Sequence, residues 1–231
     1  MRTQISKEKY LKTKGWNFLI WGTPLLFAAV ILAQTTAFRS SKSPTYDETY
    51  FLGTALATVQ QGSLDERISG AGVAPVPLIN QARFLTALLI GVPIMLLIYC
   101  WLYLRRGYAA AFLGATLVTF SPTMIAHFSL ATTDACFTLT ALIALAVLTR
   151  YWKIPTTRNL CWLSLAVSLA ISTKYSGIFL LPCTLIVMTL TGLMRQVPIT
   201  RNVIWPLMKQ VGWGFTLFLV LLIPLTWAFH L

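Results

Sequence analysis

The sequence predicts an all-α, polytopic membrane protein of about seven transmembrane helices, and two observations carry this prediction. Apolar residues make up 57% of the 231 residues and charged residues only 10%, whereas soluble domains carry about 25% charged residues. The mean hydropathy of +0.73 is too high for a small soluble domain, which leaves much of its surface in water. The same figures exclude a soluble enzyme and a disordered chain.

The net charge of +12 comes from 18 lysines and arginines against six acids. These cations lie mostly beside long apolar runs, which is typical of the cytoplasmic flanks of membrane helices. They form no basic patch with interleaved aromatic residues, so the sequence predicts no nucleic-acid partner. The cysteines lie in apolar stretches without CxxC spacing, which indicates buried thiols and neither a disulfide framework nor a metal cluster; they are Cys100, Cys136, Cys161 and Cys183.

Apolar runs define the predicted spans, since about 20 residues cross the hydrocarbon core. The first, 16–38, is longer than the core of a signal peptide and is predicted to be a retained anchor, with cleavage after Ala37 as the less favoured alternative. Pro122 breaks the run 107–149, because proline lacks a backbone donor and disfavours helix before it. A helical hairpin turning at Lys174–Gly177 is predicted in 159–194. The seven spans are 16–38, 84–104, 107–126, 128–149, 159–173, 175–194 and 211–231.

A cytoplasmic N-terminus is predicted because it places 13 of the 18 basic residues inside. They are Arg2, Lys7, Lys9, Lys12, Lys14, Arg105, Arg106, Arg150, Lys153, Arg158, Arg195, Arg201 and Lys209. Five of the six acids then lie outside, four of them in one long outer loop, 39–83. We therefore expect one membrane domain over 1–231, placed in a bacterial inner or plasma membrane, with any chemistry on the extracytoplasmic face.

The outer loop begins with a polar motif, Pro44-Thr45-Tyr46-Asp47-Glu48. Thr45 followed by Glu48 fits a capping box, with Asp47 favourable in the first helical turn. The helix that it opens, roughly 46–60, has an apolar stripe and is predicted to lie along the membrane surface. Capping and chemistry are compatible interpretations of this motif. Ser63-Leu64-Asp65-Glu66 repeats the capping pattern, and we interpret it as structural.

Asp134 and Lys174 lie close to the predicted hydrocarbon on the outer side. An ionisable group there is costly unless it is paired or hydrated, so either an ion pair between these two residues or a function must explain them. Arg83 begins the second span and could simply reach the interface. Carboxylates accept protons from hydroxyl nucleophiles, while Arg and Lys neutralise phosphate. This mixture of acids and bases suits transfer from a lipid-linked phosphate.

The sequence resembles the N-terminal part of the GT-C membrane glycosyltransferases, specifically the protein O-mannosyltransferase and lipid A aminoarabinose transferase superfamily. The resemblance covers about residues 40–185 and depends on the order and spacing of short motifs. These are Tyr46-Asp47-Glu48, Ala82-Arg83-Phe84, Ser121-Pro122, Thr133-Asp134-Ala135, Thr173-Lys174-Tyr175-Ser176-Gly177 and Leu181-Pro182.

The resemblance implies an enzyme that moves a sugar from a polyprenyl-phosphate carrier to an acceptor hydroxyl of a protein or lipid. It implies that Asp47 is the general base and that Glu48 orients Asp47 or the acceptor. Arg83 and Lys174 would bind the donor phosphate, and Asp134 would support the site. Some relatives bind a divalent metal here, and a metal stays open as a cofactor, although the sequence offers no His-rich cluster to support one.

Two departures from the family pattern affect these expectations. Many relatives carry His-Pro-Pro-Leu late in the outer loop, where this chain has Ala74-Pro75-Val76-Pro77-Leu78. Family members are also longer, so we expect either a truncated form or a partner subunit that supplies the C-terminal half. The alternative function is a non-catalytic membrane subunit or remnant that binds a lipid-phosphate carrier. A transporter ranks below both, since the charges cluster at one surface and not at the midplane.

Overall fold

The computed structural model describes residues 2–41, 76–195, 209, 212–214, 216–222 and 224, together with Ser43, Thr45, Glu48, Thr49, Leu52 and Gly53. In this part of the chain the regular structure is helical throughout and contains no strand, which confirms the predicted all-α class. The chain forms two compact units, residues 1–135 and 136–231. The single membrane domain over 1–231 stays a prediction.

The first unit contains a long N-terminal helix and a series of shorter ones. They are α1 (Arg2–Ser41), α2 (Val76–Thr86), a π-helical segment (Ala87–Gly91), α3 (Val92–Arg106), α4 (Tyr108–Phe120) and α5 (Pro122–Phe128). Tyr99 Oη of α3 donates to the Ile20 carbonyl of α1 at 2.8 Å, and Thr23 Oγ1 lies 2.9 Å from Tyr108 Oη. These bonds fix α1 against α3 and α4.

The π-helical segment ends at Gly91, two residues before Pro93, which is the second residue of α3. Proline has no N–H to donate to a carbonyl one turn earlier, and a wider turn is a common response. Gly91 ends this segment, and the buried ring of Phe128 packs directly against it. A Cβ at position 91 would lie only 2.8 Å from Phe128 Cγ, so a side chain there would meet the ring.

The predicted break at Ser121-Pro122 is confirmed, since α4 and α5 meet there at an angle of 65°. The next helix, α6 (Thr133–Lys153), begins at Thr133, so the predicted start at 128 is wrong. The physical reason lies in Ala131. Its N–H donates to the Glu48 side chain at 3.0 Å. This N–H is therefore not available for the bond to a carbonyl one turn earlier that a continuous helix would require.

The second unit contains α6 from Cys136 onward, α7 (Thr157–Thr173), a 3-10 turn (Tyr175–Phe179), α8 (Leu180–Arg195) and helical residues between 212 and 222. The break at Lys174 confirms the predicted interruption of 159–194. An apolar core joins these helices; its buried residues are Ala144, Leu148, Tyr151, Leu160, Leu163, Ala166, Val167, Ile171, Met188 and Phe218.

Three helices in the described part of the chain are long and apolar enough to cross a membrane: Leu19–Arg39, Val76–Arg106 and Thr133–Lys153. The bent pair α4 and α5 raises this number to four if it forms one span. The seven spans are not confirmed, because α7 and α8 have only 17 and 16 residues and a crossing needs about 20. Most of the predicted surface helix, 46–60, lies outside the described residues, as do residues 225–231 of the last run.

Candidate functional site

The site is built around a buried ion pair between Glu48 and Arg83. Arg83 Nη2 lies 2.6 Å from Glu48 Oε2, and Arg83 Nε donates to Glu48 Oε1 at 2.7 Å. The exposed fractions of the two side chains are 0% for Glu48 and 1% for Arg83. Two parallel N–H···O bonds of this kind fix both the distance and the relative orientation of the groups.

Thr45 forms part of the capping box expected from the sequence. Its backbone N–H and its hydroxyl both donate to Glu48 Oε2 at 3.0 Å, and Thr49 N–H donates to the Thr45 carbonyl at 3.1 Å. The half of the capping box that Glu48 supplies is therefore confirmed, while the Thr45 hydroxyl acts as a donor to the same carboxylate. The carboxylate of Glu48 does more than cap the helix, because the same group also binds Arg83.

Glu48 and Arg83 together connect four segments of the first unit. Glu48 Oε1 accepts a hydrogen bond from Ala131 N–H in the turn before α6. Arg83, from α2, donates to the carbonyl of Arg39 at 3.2 Å and to that of Ser43 at 3.1 Å. The pair thus ties the end of α1, the Thr45 segment, α2 and the Ala131 turn to one point.

The electrostatics of the pair keep Glu48 ionised. Burial raises the pKa of Glu48, but the hydrogen bonds from Arg83, Ala131 and Thr45 and the charge of Arg83 outweigh burial and lower the pKa from 4.5 to about 2. Five N–H or O–H donors face its two oxygens. A carboxylate in this setting is a weak base, because protonation would break bonds that the charged form makes.

The remaining predicted site residues are placed as follows. Asp47 lies outside the described residues. Asp134 lies in the first turn of α6, where the helix dipole favours an acid, and it is half-buried. Lys174 is half-buried and extended, between α7 and the 3-10 turn. The structure brings Glu48 and Arg83 together, while pairing of Asp134 with Lys174 stays a prediction.

The Thr173–Gly177 motif has a steric basis in the second unit. Gly177 N–H donates to the Lys174 carbonyl at 2.8 Å, which closes the turn behind the lysine. A Cβ at position 177 would lie 2.6 Å from the carbonyl oxygen of Ala170 in α7. Glycine is required here because the 3-10 turn passes directly against the backbone of α7.

The sequence did not reveal several groups that build the site. The N–H of Ala131 and the carbonyls of Arg39 and Ser43 are backbone groups, so no side-chain pattern marks them. Arg39 itself had a signal, since it is a cation at the predicted outer end of the first span, against the positive-inside bias. Its guanidinium donates to the Asn80 carbonyl at 3.0 Å and lies 5.5 Å from the centre of the Phe84 ring.

Among the described residues, no group of three or more His, Cys, Asp or Glu side chains is placed to hold a metal ion. The described cavities near the pair are open. One of about 680 Å³ is lined by residues of α1 and by Asn80, and another of about 400 Å³ is lined by Gln81, Phe84 and Leu85; Arg39 contributes to both.

Comparison with known proteins gives one family. The family model described as dolichyl-phosphate-mannose-protein mannosyltransferase matches residues 79–227, which is 149 of the 231 residues. No curated protein and no solved structure matches the chain. The family match confirms the resemblance to GT-C glycosyltransferases that the motifs indicated, and the apolar helices agree with it. This chain therefore belongs to the dolichyl-phosphate-mannose-protein mannosyltransferase family and is an integral membrane protein of the glycosyltransferase class.

Proposed function

We propose that the chain transfers a sugar from a polyprenyl-phosphate carrier to the hydroxyl group of a protein or lipid acceptor. Membership of the family supports glycosyl transfer and a donor of this class. The distribution of charge in the sequence supports the extracytoplasmic side, since five of the six acids fall there when the basic residues are placed inside.

The observation that carries the proposal is the buried pair of Glu48 and Arg83. Four segments meet at this pair, and its two side chains are withdrawn from solvent. A carboxylate that acts as a base must be held in place relative to its substrate. Asp47 is covalently next to Glu48, so the pair anchors the segment to which the proposed base belongs.

We assign the general base to Asp47 and a positioning role to Glu48. Glu48 has a pKa of about 2 and its oxygens already accept five hydrogen bonds, so it would have to give up bonds to accept a proton. An ordinary aspartate, with a pKa of about 3.9, is ionised at neutral pH and can take a proton from a hydroxyl.

The geometry also favours different roles for Arg83 and Lys174, the two cations expected at the donor phosphate. Arg83 is buried and bonded to Glu48, Arg39 and Ser43, so it would have to leave Glu48 to reach a phosphate. We therefore assign Arg83 to positioning. Lys174 keeps its proposed role of neutralising the leaving phosphate, and Asp134 keeps its supporting role.

In the proposed step the Asp47 carboxylate takes the proton of the acceptor hydroxyl. The acceptor oxygen forms a bond to the anomeric carbon of the sugar as the bond from that carbon to the phosphate oxygen breaks. The electron pair of the broken bond leaves with polyprenyl phosphate, whose new negative charge Lys174 stabilises. Attack opposite the leaving group inverts the anomeric centre.

The test is a transfer assay with the purified chain in lipid nanodiscs, polyprenyl-phosphate-linked mannose and a serine- and threonine-containing peptide. We expect Asp47→Asn to lower kcat about 10²- to 10⁴-fold, the usual contribution of a general base. Asp65→Asn removes an acid from the same predicted loop and should leave transfer unchanged. Glu48→Gln should lower kcat while the pH dependence assigned to Asp47 persists.

Full activity of Asp47→Asn would overturn the assignment of the base. A wild-type chain that binds the carrier and transfers no sugar would overturn the catalytic proposal and favour the non-catalytic subunit.

A further inference from the structure

Arg39 lies at the C-terminal end of an open groove along α1. The larger of the two cavities beside it, of about 680 Å³, is lined by Leu32, Ala33, Thr36, Ala37, Arg39 and Asn80. The small side chains at positions 33, 36 and 37 are exposed and leave room along the helix. We call this cavity the α1 groove.

The α1 groove has the polarity of a site for a lipid with an anionic head. Leu19–Arg39 is a candidate membrane span, so Arg39 marks its end. From Arg39 back to Leu32 the helix rises about 10 Å, into the part of the span that faces hydrocarbon. Among the described residues that line the groove and the adjoining cavity, Arg39 is the charged one and none is an acid.

Two contacts hold the Arg39 guanidinium at this position. Nη1 donates to the Asn80 carbonyl at 3.0 Å, and the group lies over the Phe84 ring at 5.5 Å. The bond to Asn80 uses one of five guanidinium N–H groups, and a guanidinium can offer two parallel N–H groups to phosphate. Since its orientation is already fixed, less side-chain entropy is lost when an anion binds.

The groove is linked to the candidate site through the backbone of Arg39. The carbonyl of Arg39 accepts a hydrogen bond from the Arg83 guanidinium at 3.2 Å. The Arg83 guanidinium also binds Glu48. A phosphate held at Arg39 would thus lie beside the anchor of the segment that contains Asp47.

We propose that the α1 groove binds the carrier lipid of the sugar donor, a polyprenyl phosphate, with the phosphate on Arg39 and the isoprenoid chain along Leu32, Ala33, Thr36 and Ala37. The inference rests on the proposed function, which supplies the identity of the lipid. It adds a phosphate-binding residue and a path for the chain that the sequence motifs do not contain.

The test measures binding of lipids to the purified chain in detergent by native mass spectrometry. Four probes are titrated: polyprenyl phosphate, the uncharged polyprenol, phosphatidylglycerol and inorganic phosphate. We expect polyprenyl phosphate to bind most tightly, and Arg39→Gln to weaken its binding about tenfold, the effect of losing a charged hydrogen bond. Arg106→Gln is the matched control, since Arg106 is exposed at the far end of the Val76–Arg106 helix.

A second pair of variants tests the path of the chain. Ala37→Trp fills the α1 groove and should weaken polyprenyl phosphate about as much as Arg39→Gln does. Ala109→Trp adds the same bulk at an exposed position in the first turn of α4 and should change nothing. If phosphatidylglycerol, or inorganic phosphate alone, bound as tightly as polyprenyl phosphate, the assignment to the carrier would be overturned. Unchanged binding in both Arg39→Gln and Ala37→Trp would overturn the groove.

A parallel transfer assay separates this inference from the proposed function. Arg39-dependent binding in a wild-type chain without transfer would uphold the groove and refute the enzyme. Transfer with an unchanged KM in Arg39→Gln would uphold the enzyme and refute the groove. Asp47→Asn should bind polyprenyl phosphate as the wild type does.

Discussion

Arg83 Nη2 lies 2.6 Å from Glu48 Oε2, and the two residues are 35 positions apart in the chain. Both side chains are removed from solvent, so each charge depends on the other for the solvation that water would have given. A buried pair of this kind stabilises little compared with an apolar pair of the same shape, yet the loss of one partner is costly. The pair therefore fixes the positions of the segments that it joins more than it stabilises the fold.

The first prediction concerns the free energy of unfolding of single and double variants of this pair. Glu48→Gln and Arg83→Gln should each lower it by about 3–5 kcal/mol, because the remaining charge stays buried without its partner. The double variant should lose less than the sum of the two single losses. Unfolding by sodium dodecyl sulfate from mixed micelles measures all three. Arg106→Gln, at an exposed site, should change the value by less than about 0.5 kcal/mol; additive losses would contradict the coupling.

The second prediction concerns pH. The pKa of Glu48 is lowered to about 2 in the folded chain and is about 4.3 in an unfolded one. The stabilisation is therefore complete above pH 4.5 or so and is lost as the pH falls toward 2, up to about 3 kcal/mol in all. The difference in unfolding free energy between wild type and Glu48→Gln should shrink by about 2 kcal/mol between pH 5 and pH 3. A difference that is independent of pH would show that Glu48 keeps its ordinary pKa.

The sequence predicted local features of this fold better than long-range ones. The contact of the Glu48 side chain with the Thr45 N–H, the break at Pro122 and the interruption at Lys174 were all predicted, because each depends on neighbouring residues and on backbone chemistry. The start of α6 was placed too early, since it depends on a bond from Ala131 to Glu48, 83 residues away. The local sequence pattern does not predict such a long-range bond.

The same limit applies to the candidate site. Glu48 and Arg83 were both selected from the sequence, but for separate roles, one beside the base and one at the donor phosphate. Each has a charge type that suits its predicted role, and residue type alone cannot show that two opposite charges are bonded to each other. The burial of Arg83 and its bonds to Glu48 and to the carbonyls of Arg39 and Ser43 support the positioning role that we propose for it.

The third prediction tests the close approach of Phe128 to the π-helical segment. A Cβ at Gly91 would lie 2.8 Å from Phe128 Cγ, so Gly91→Ala should lower the free energy of unfolding by about 1–3 kcal/mol, the usual cost of overpacking. In a Phe128→Leu background the same change should cost less, because the ring that it meets is gone. The mixed-micelle assay measures both costs, and equal costs in the two backgrounds would refute the contact.

The last prediction concerns Gly177 and the position of Lys174. A Cβ on Gly177 would lie 2.6 Å from the Ala170 carbonyl oxygen and 2.9 Å from Ile171 Cα, which are backbone atoms and cannot rotate away. Gly177→Ala should therefore displace the 3-10 turn, stretch the bond from Gly177 N–H to the Lys174 carbonyl, and lower both the unfolding free energy, by about 2 kcal/mol or more, and sugar transfer.

Gly212→Ala is the matched control for this change, because a Cβ there meets nothing within 4 Å. Alanine is favoured over glycine in a helix by up to about 1 kcal/mol, so the control should be neutral or slightly stabilising. Since Gly177 closes the turn behind Lys174, a Gly177→Ala chain with wild-type stability and transfer would mean that the turn does not hold the lysine in place.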